Sequence, residues 1–413
     1  MEIIYLHQYF NTPGMNGSTR SYELARRLVS RGHRVRMLTS WREEDGRRDW
    51  FVTNEEGIEV HWLPVPYDNA MSYAQRLRAF FRFAIGASRR AASLSGDLVF
   101  ATSTPLTIAL PAVFVSRRQR CPMVFEVRDL WPEMPIAVGA LRHPILIRMA
   151  RALERFAYRN AARVVALSPG MRDGVVAAGY EPSRIRVIPN SCDLELFTSD
   201  SSATEQFRRI HPELEGGKIL LYAGTLGRIN GVEYLAHLAA ACREVVPSLR
   251  IVIIGGGAEV EKVRQLSSKL GVLDQNLFMY LQMTKQRIVE AFAAADLAAS
   301  CFIELPEMEK NSANKFFDAL ASGTPVAINY GGWQAELIEQ SGTGLVLSRD
   351  PLQAALQLRE WFADSAGQKH AAAKALELAS THFSRDRLTD ELEALLKETL
   401  DEGDIGEERQ RQA

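Results

Sequence analysis

Cysteine is scarce in this chain of 413 residues, and its four cysteines are widely separated, at Cys121, Cys192, Cys242 and Cys301. No Cys-x-x-Cys pair or histidine cluster accompanies them, so the sequence predicts neither a disulfide framework nor a metal site and favours a reducing compartment. It also lacks an apolar run near the roughly 18 residues that span a bilayer. The N-terminal residues begin directly as a strand without the pattern of a signal peptide, so we expect a cytoplasmic protein.

Lysine is absent from the first 180 residues, which carry 25 arginines against 16 acidic side chains. That part therefore has a net charge of +9, whereas the whole chain has a net charge of −1. Such asymmetry indicates an anionic partner. No RNA or DNA module is recognisable, so we expect no nucleic acid, and an anionic membrane or a lipid-phosphate acceptor fits. The alternative is an ordinary solvated surface that is rich in arginine.

Strand and helix patterns alternate along the chain, and the alternation restarts near residue 190. Apolar runs typical of buried strands occur at 2–6, 34–39, 97–101, 123–127, 163–167, 218–223, 249–255, 277–281, 296–300, 325–329 and 344–347. Such alternation predicts parallel sheets covered by helices on both faces. We therefore expect an α/β protein of two doubly wound domains, at 1–190 and 191–382. A helix at 383–400 and a polar tail at 401–413 would follow.

Two motifs of the first half carry candidate chemistry. A glycine turn at 11–20 opens the first helix, and Gly14 and Gly17 would let the backbone approach a ligand at the helix N-terminus. The turn lacks the spacing of a nicotinamide dinucleotide site, and the alternative is a tight turn without a ligand. Residues 126–133 place four charged side chains at a strand end, where an Arg128–Asp129 pair is suited to an acceptor pocket. The alternative there is an internal salt-bridge cluster.

Two motifs of the second half suit a diphosphate. Residues 223–231 combine three glycines with Arg228, and a guanidinium beside free backbone N–H groups is a good diphosphate clamp. A helix is then predicted from a Ser312 cap to a Gly323 stop. Lys315 and Asp318 share one face of it with Asn314, so one helix could supply a lysine for phosphate and a carboxylate for ribose. The alternative is an exposed Lys–Asp pair.

These motifs resemble family 4 of the retaining glycosyltransferases over nearly the whole chain. Further matching segments are Leu-Ser-Pro-Gly-Met at 167–171, Val-Ile-Pro-Asn-Ser-Cys-Asp at 187–193, Tyr-Ala-Gly at 222–224 and the helix ending in Ala-Ser-Gly-Thr-Pro-Val at 321–326. Within the family, Arg-Asp-Leu-Trp-Pro-Glu and Ser-Ala-Asn-Lys-Phe-Phe-Asp are similar to the branch that builds bacterial O-antigen and capsule repeats. Fucosaminyl-type transferases are the nearest members.

The resemblance implies a GT-B fold, with two Rossmann-like domains facing across a cleft and the last helix crossing back to the first domain. It implies that a nucleotide-sugar, expected to carry UDP, binds the second domain. The acceptor, expected to be a polyprenyl-diphosphate-linked saccharide, would bind the first domain. No cofactor or metal is implied, because cationic side chains and helix N-termini would offset the charge of the leaving diphosphate.

The resemblance also assigns the site residues. The catalytic residues are expected to be Arg228, Lys315 and Asp129. The donor-binding residues are expected to be Gly14, Gly17, Gly224, Thr225, Asn230, Gln282, Met283, Glu309, Asn314, Asp318 and Gly332. The acceptor-binding residues are expected to be Arg20, Arg128, Trp131 and Glu133.

Several positions depart from the family pattern. The usual Glu-x7-Glu pair falls at Lys310 and Asp318, which leaves Glu304 or Glu309 to replace the first carboxylate. The usual Arg and Lys of the phosphate clamp fall at Thr225 and Asn230, and Arg228 and Lys315 are the expected replacements. No general base emerges, which fits a mechanism in which the leaving phosphate takes the proton of the acceptor.

A basic amphipathic helix is predicted at 70–95, where five arginines alternate with Leu77, Phe80, Phe81, Phe83 and Ile85. Such a helix can lie on an anionic membrane, and the alternative is a domain helix with an exposed arginine face. Two other functions stay open. A GT-B epimerase or hydrolase would turn over a UDP-sugar without an acceptor. A catalytically weak binding partner would tolerate alanine at Lys315 and Asp318.

Overall fold

The computed structural model describes residues 1–15, 17–67, 71–197 and 201–412. Asn16 in the glycine turn, Ala70 at the start of the predicted basic helix and Ala413 at the end of the predicted tail lie outside them. The chain divides into two compact units, Met1–Pro189 with Arg385–Ala413, and Asn190–Ser384.

The first unit is built on an eight-stranded sheet. Its strands are β1 (Glu2–Leu6), β2 (Arg34–Trp41), β3 (Phe51–Glu55), β4 (Ile58–Pro64), β5 (Leu98–Thr102), β6 (Met123–Val127), β7 (Arg163–Ala166) and β8 (Ile185–Val187). Their spatial order is β3-β4-β2-β1-β5-β6-β7-β8, and every neighbouring pair is parallel except β3 with β4. The β3–β4 hairpin was not predicted, although its Glu56-Gly57 turn has the two positive φ angles of a tight hairpin turn.

Helices cover both faces of this sheet. They are α1 (Arg20–Ser30), α2 (Tyr73–Ala91), α3 (Ala109–Gln119), α4 (Glu133–Ala137), α5 (Pro144–Asn160) and α6 (Pro169–Ala177). Strands β5 and β6 are buried along their whole length, as expected for parallel strands between two helical layers. Helix α2 begins at Ser72, whose hydroxyl accepts the N–H of Gln75 while the Gln75 side chain accepts the N–H of Ser72.

The second unit contains a six-stranded parallel sheet. Its strands are β9 (Lys218–Ala223), β10 (Leu249–Ile254), β11 (Leu277–Tyr280), β12 (Leu297–Ser300), β13 (Val326–Ile328) and β14 (Gly344–Val346), in the order β11-β10-β9-β12-β13-β14. Its helices are α7 (Ser201–Ile210), α8 (Glu233–Val245), α9 (Val260–Lys269), α10 (Lys285–Ala294), α11 (Pro306–Glu309), α12 (Asn314–Ser322), α13 (Trp333–Ser341), α14 (Pro351–Ala363) and α15 (Ser365–His382). The strand order reverses beside β9, so ligands are expected at the carboxyl end of that strand.

The last helix, α16 (Arg385–Gln412), belongs to the first unit. It buries Leu388, Leu392, Leu395 and Leu396 in the core beneath α1. The predicted end at residue 400 was wrong, because the backbone continues as a helix to Gln412. Residues 401–412 contain no proline and are rich in Glu, Arg and Gln, which favour a helix. No helix among the described residues is long and apolar enough to cross a membrane.

Candidate functional site

A cavity of about 200 Å³ opens in the second unit where β9, β10 and β11 end. It is lined by Ala223, Gly224, Thr225, Ile254, Gly255, Gly256, Gln282, Met283, Ile288, Phe292 and Asp318. Five of the predicted donor-binding residues therefore meet at one place. The apolar Ile288 and Phe292 come from α10, while Asp318 comes from α12, so the lining offers an apolar wall and a carboxylate.

Lys315 lies against the first glycine of this cavity. A Cβ atom added to Gly224 would collide with Cε of Lys315, so only glycine permits this approach. The Lys315 ammonium lies 5.1 Å from the ring centroid of Tyr222, and within the described residues no carboxylate pairs with it. Burial lowers the pKa of Lys315, and the nearby Cys301 thiol and Asp318 carboxylate oppose that shift. An anionic ligand would restore the stability of its charged form.

The start of α12 differs from its prediction. Ser312 does not cap the helix, because its hydroxyl accepts the backbone N–H of Asn190 at 3.2 Å and its carbonyl oxygen accepts the Asn190 amide at 2.6 Å. Ala313 occupies the cap position without a side-chain hydrogen bond, and the exposed Asn314 begins the first turn. Gly323, with φ of 68°, ends the helix as predicted.

The remaining predicted donor residues of this unit do not line the cavity described above. Arg228 is exposed in a short 3-10 helix, and Asn230 is buried with its Oδ1 accepting the N–H of Gly227 at 3.2 Å. Glu309 is exposed at the end of α11, where its backbone packs against Gly332. Glu304 is exposed as well. The amide oxygen of Asn230 thus holds its own loop, and donor binding by Asn230 stays a prediction.

Arg20, a predicted acceptor-binding residue, makes structural contacts in the first unit. Its guanidinium lies 2.9 Å from the carboxylate of Glu126, and both side chains are buried. It also donates to the carbonyl oxygens of Ile188 and Pro189. These bonds use the buried guanidinium to join α1, β6 and the end of β8, and acceptor binding by Arg20 stays a prediction.

The glycine turn is also explained by internal contacts. Gly17 has φ of 130°, and a Cβ atom there would lie 2.6 Å from Nδ2 of Asn11. Asn11 is buried and donates to the carbonyl oxygen of Ser18 at 3.2 Å. Gly14 is exposed, and nothing lies within 4 Å of an added Cβ atom. The contact with Asn11 thus requires a glycine at position 17, whereas the space beside Gly14 is open.

Arg128 and Asp129 follow β6 as predicted. The Arg128 guanidinium donates to the hydroxyl of Ser18 at 3.1 Å and lies 3.5 Å from Nε2 of His7. Burial raises the pKa of Asp129 to about 6, while Arg128 and a hydrogen bond with Thr104 oppose the shift. A carboxyl with that pKa can accept or return a proton near neutral pH.

Trp131 and Glu133 are placed for structural contacts. Trp131 is partly buried against the core of the first unit. Glu133 begins α4 and lies 3.4 Å from Nε of Arg151, in a pair that is largely exposed to solvent. Each side chain has a partner in its own unit, and acceptor contact by Trp131 and Glu133 stays a prediction.

The sequence reasoning missed His7 and Arg42. His7 follows β1 and Arg42 follows β2, which are the carboxyl ends of adjacent parallel strands. Ligands of such sheets bind at this edge. Position at a strand end was thus a usable signal for both residues.

Known proteins match both halves of the chain. Residues 17–191 match the glycosyl transferase 4-like domain, and residues 203–377 match the glycosyl transferases group 1 domain. The D-inositol 3-phosphate glycosyltransferase of Corynebacterium urealyticum is 30% identical over 204 residues, 47% of this chain and 45% of that protein. The matched part thus spans less than half of that relative.

A second relative and a solved structure extend these matches. The putative colanic acid biosynthesis glycosyl transferase WcaI of Escherichia coli K12 is 24% identical, over 59% of this chain and 63% of that protein. HepE of Anabaena, solved in complex with UDP and glucose, has a TM-score of 0.71 and 18% identity, and the match covers 96% of this chain and all of HepE. These likenesses confirm the predicted fold of two Rossmann-like domains.

Proposed function

We propose that this enzyme, a glycosyltransferase by both of its domains and of the GT-B fold, moves a sugar with retention from a UDP-sugar to a lipid-linked saccharide. The observation that carries the proposal is the cavity at the end of β9, where Lys315 and Asp318 meet Gly224. HepE, which has the same fold, was solved with UDP and glucose, and that supports a UDP-linked donor.

The second unit would bind the donor through α12. Lys315 would neutralise the diphosphate, and the Asp318 carboxylate would accept hydrogen bonds from ribose hydroxyls. The uncapped N–H groups at the start of α12 favour the same negative charge. Arg228 would approach the diphosphate as a second cation from its exposed loop. We propose that these groups, without a metal ion, offset the charge that develops as the sugar–phosphate bond breaks.

The acceptor would bind the first unit near Asp129. Its carboxylate would accept a hydrogen bond from the attacking hydroxyl and orient it. The leaving phosphate would then take the proton of that hydroxyl, so that no separate base is required. The acceptor oxygen would bond to the anomeric carbon on the face from which the nucleotide diphosphate leaves, so the sugar would retain its configuration.

A surface of the first unit supports a lipid-linked acceptor. Helix α2 packs beside α3, and α3 packs beside α5. Seven of the twelve large apolar side chains that are exposed among the described residues lie on these helices, with exposures from 47% to 64%. They are Leu77, Phe81, Ile85, Phe114, Ile145, Leu146 and Met149. We name this three-helix region the lipid-facing surface.

The charge of the lipid-facing surface has one sign. Its three helices contain eleven arginines and a single acidic residue, Glu154. Glu154 is buried, and burial together with the charge of Glu133 raises its pKa to about 7. Arg155 and Arg159 line an open cavity on α5. Exposed apolar groups among arginines suit an anionic bilayer, to which each basic residue contributes about 1 kcal/mol.

The relatives suggest the setting of the reaction. WcaI is named for colanic acid biosynthesis, and another matched protein is a probable glycosyltransferase, WbjE of Pseudomonas aeruginosa. We propose that this enzyme acts at the cytoplasmic face of the plasma membrane in the assembly of a surface polysaccharide, such as an O-antigen or capsule. The donor sugar in that branch would be an N-acetylated amino sugar or a deoxy sugar.

The donor assignment is tested by thermal denaturation with a panel of nucleotides. A ligand that binds only the folded protein raises the melting temperature, and we expect UDP to do so more than GDP, ADP or UMP. Asp318→Asn should reduce the shift that UDP causes. If neither uridine nor guanosine nucleotides change the melting temperature, the donor assignment is wrong.

A further inference from the structure

The first unit brings two arginines and a histidine together where three parallel strands end. His7 follows β1, Arg42 follows β2 and Arg128 follows β6. Both guanidinium groups lie close enough to His7 to lower its pKa by their charge. Strand order in this sheet reverses between β1 and β5, so the three side chains stand at the edge where such sheets bind ligands.

Uncharged oxygens hold both guanidinium groups in place. Arg42 donates to Oδ1 of Asn11, and Arg128 donates to the Ser18 hydroxyl. Asn11 is fixed in turn by the close approach of Gly17. Within the described part of the chain no carboxylate lies at salt-bridge distance from either arginine. The glycine turn therefore positions two positive charges that have no salt bridge among the described residues, although Asp129 attracts Arg128 and Glu43 attracts Arg42 from beyond that distance.

Arg42 is partly buried, and burial lowers its pKa although Tyr9 and Glu43 oppose the shift, so its charge is costly without a closer partner. A partly buried cation without a counter-charge is unfavourable, and an anion that enters the site removes that penalty. The arrangement thus favours a ligand that brings negative charge to Arg42 and Arg128.

His7 adds a donor to the same place. It is 2% exposed, and burial, together with the charges of Arg128 and Arg42, holds its pKa well below 6.5. The imidazole is therefore neutral, and because Arg128 can only donate, Nε2 accepts and Nδ1 carries the hydrogen. Among the described residues Nδ1 has no hydrogen-bond partner. A buried donor without an acceptor calls for one from a ligand.

We propose that His7, Arg42 and Arg128 form a binding site for the phosphate group of a phosphate ester. Planar guanidinium groups match phosphate oxygens in geometry and charge, and the Nδ1–H of His7 supplies a neutral donor. The inference deepens the proposed function and rests on it, because the proposed donor and acceptor are the two candidate sources of this phosphate. These are the lipid diphosphate of the acceptor and the diphosphate of the nucleotide-sugar.

Calorimetric titration of the full chain tests the site and identifies the source. In one arm UDP is the ligand, and in the other farnesyl diphosphate is titrated into protein saturated with UDP. We expect Arg42→Gln and Arg128→Gln each to weaken one of the two ligands at least tenfold. Weaker binding of farnesyl diphosphate would identify the lipid diphosphate as the ligand of the site. Weaker binding of UDP would identify the nucleotide diphosphate instead. Arg47→Gln, which removes a half-exposed arginine paired with Asp45, should change neither affinity.

Two further measurements separate binding from folding. Because neither arginine has a carboxylate at salt-bridge distance among the described residues, each glutamine variant without ligand should melt close to the wild-type temperature, so that a loss of affinity is not a loss of folding. Arg42→Lys and Arg128→Lys keep the charge and should retain part of the affinity. Unchanged affinity for both ligands in both glutamine variants would overturn the site. If the wild type binds UDP and no variant loses affinity for either ligand, the phosphate site is wrong but the proposed function stands.

Discussion

Lys315 is the residue on which the proposed donor site depends most closely. Its ammonium is partly buried beside Gly224 and the Tyr222 ring, and its pKa is lowered by that burial. A phosphate group would raise the pKa again, so binding takes up a proton at pH values above the lowered pKa. UDP should bind most tightly below the lowered pKa of Lys315 in the free protein. Its affinity should decline as pH rises from that value through the higher pKa of Lys315 in the complex.

We predict that Lys315→Ala weakens UDP binding by about 10- to 100-fold, since a hydrogen bond to a charged group contributes roughly 1.5–3 kcal/mol. Titration calorimetry measures this loss, and the variant should also lose the dependence of affinity on pH. Lys269→Ala, at an exposed lysine at the end of α9, is the matched control. Equal UDP affinity in Lys315→Ala and wild type would remove Lys315 from the site.

Asp129 connects stability with function in the first unit. Its pKa is about 6 in the folded protein against an ordinary value of 3.8. The folded state therefore binds the proton of Asp129 more tightly than the unfolded chain does. Ionisation of Asp129 thus lowers the free energy of unfolding as pH rises from 4 through 6. Above that window the cost is about 2–3 kcal/mol, because one pKa unit corresponds to roughly 1.4 kcal/mol.

We predict that Asp129→Asn is more stable than the wild type at pH 7.5 by about 2 kcal/mol and loses this advantage below pH 4. Urea unfolding at the two pH values measures the difference. Sugar transfer should fall at least tenfold, because asparagine is a weaker acceptor for the attacking hydroxyl. A variant that is less stable than wild type at pH 7.5 would show that Asp129 is held by a stabilising contact instead.

At the scale of elements, sequence periodicity predicted the strands better than the site. Apolar runs located eleven of the fourteen strands in the described residues near their observed ends, because buried parallel strands carry continuous apolar segments. The β3–β4 hairpin was not predicted, because β3 is partly exposed and its sequence, Phe-Val-Thr-Asn-Glu, has only a weak strand pattern. Gly224, Gln282 and Asp318 were found from strand ends and a resemblance. The buried contacts of Arg20 depend on distant partners, which local spacing does not reveal, whereas Asn230 bonds Gly227 only three residues away.

The lipid-facing surface also joins distant segments. Only α2 was predicted from its sequence pattern, because α3 and α5 become its neighbours through the fold. Their exposed apolar groups, including Ile145 and Met149 on α5, extend the apolar region across three helices. Membrane binding should therefore depend on α5 as well as on α2.

We predict that the double variant Arg148→Gln with Arg155→Gln on α5 binds vesicles with anionic lipid about 30-fold more weakly. Each arginine contributes about 1 kcal/mol near such a surface, and sedimentation with vesicles measures the change. Binding of the wild type should fall with added salt. The control is Arg172→Gln with Arg184→Gln, two exposed arginines outside the three helices. Equal loss in both double variants would contradict a specific role for α5.

For the whole molecule, two domains of related architecture carry different chemistry. The first unit supplies arginines and no lysine up to residue 180, whereas Lys315 belongs to the second, whose residues 190–384 carry 23 acidic against 17 basic side chains. Arginine suits phosphate oxygens and a lipid surface through its planar fork. A single lysine, whose pKa responds to burial, suits a nucleotide diphosphate that binds and leaves. This division is consistent with an acceptor on the first unit and a donor on the second.

Release of UDP from a UDP-sugar, with and without a polyprenyl-diphosphate-linked saccharide, tests sugar transfer to a lipid-linked acceptor most directly. We expect release to require the acceptor, to persist in EDTA and to fall at least tenfold in Lys315→Ala. The product should keep the anomeric configuration of the donor, as nuclear magnetic resonance would show. Equally rapid release of UDP without any acceptor would contradict the transferase and indicate a hydrolase or epimerase.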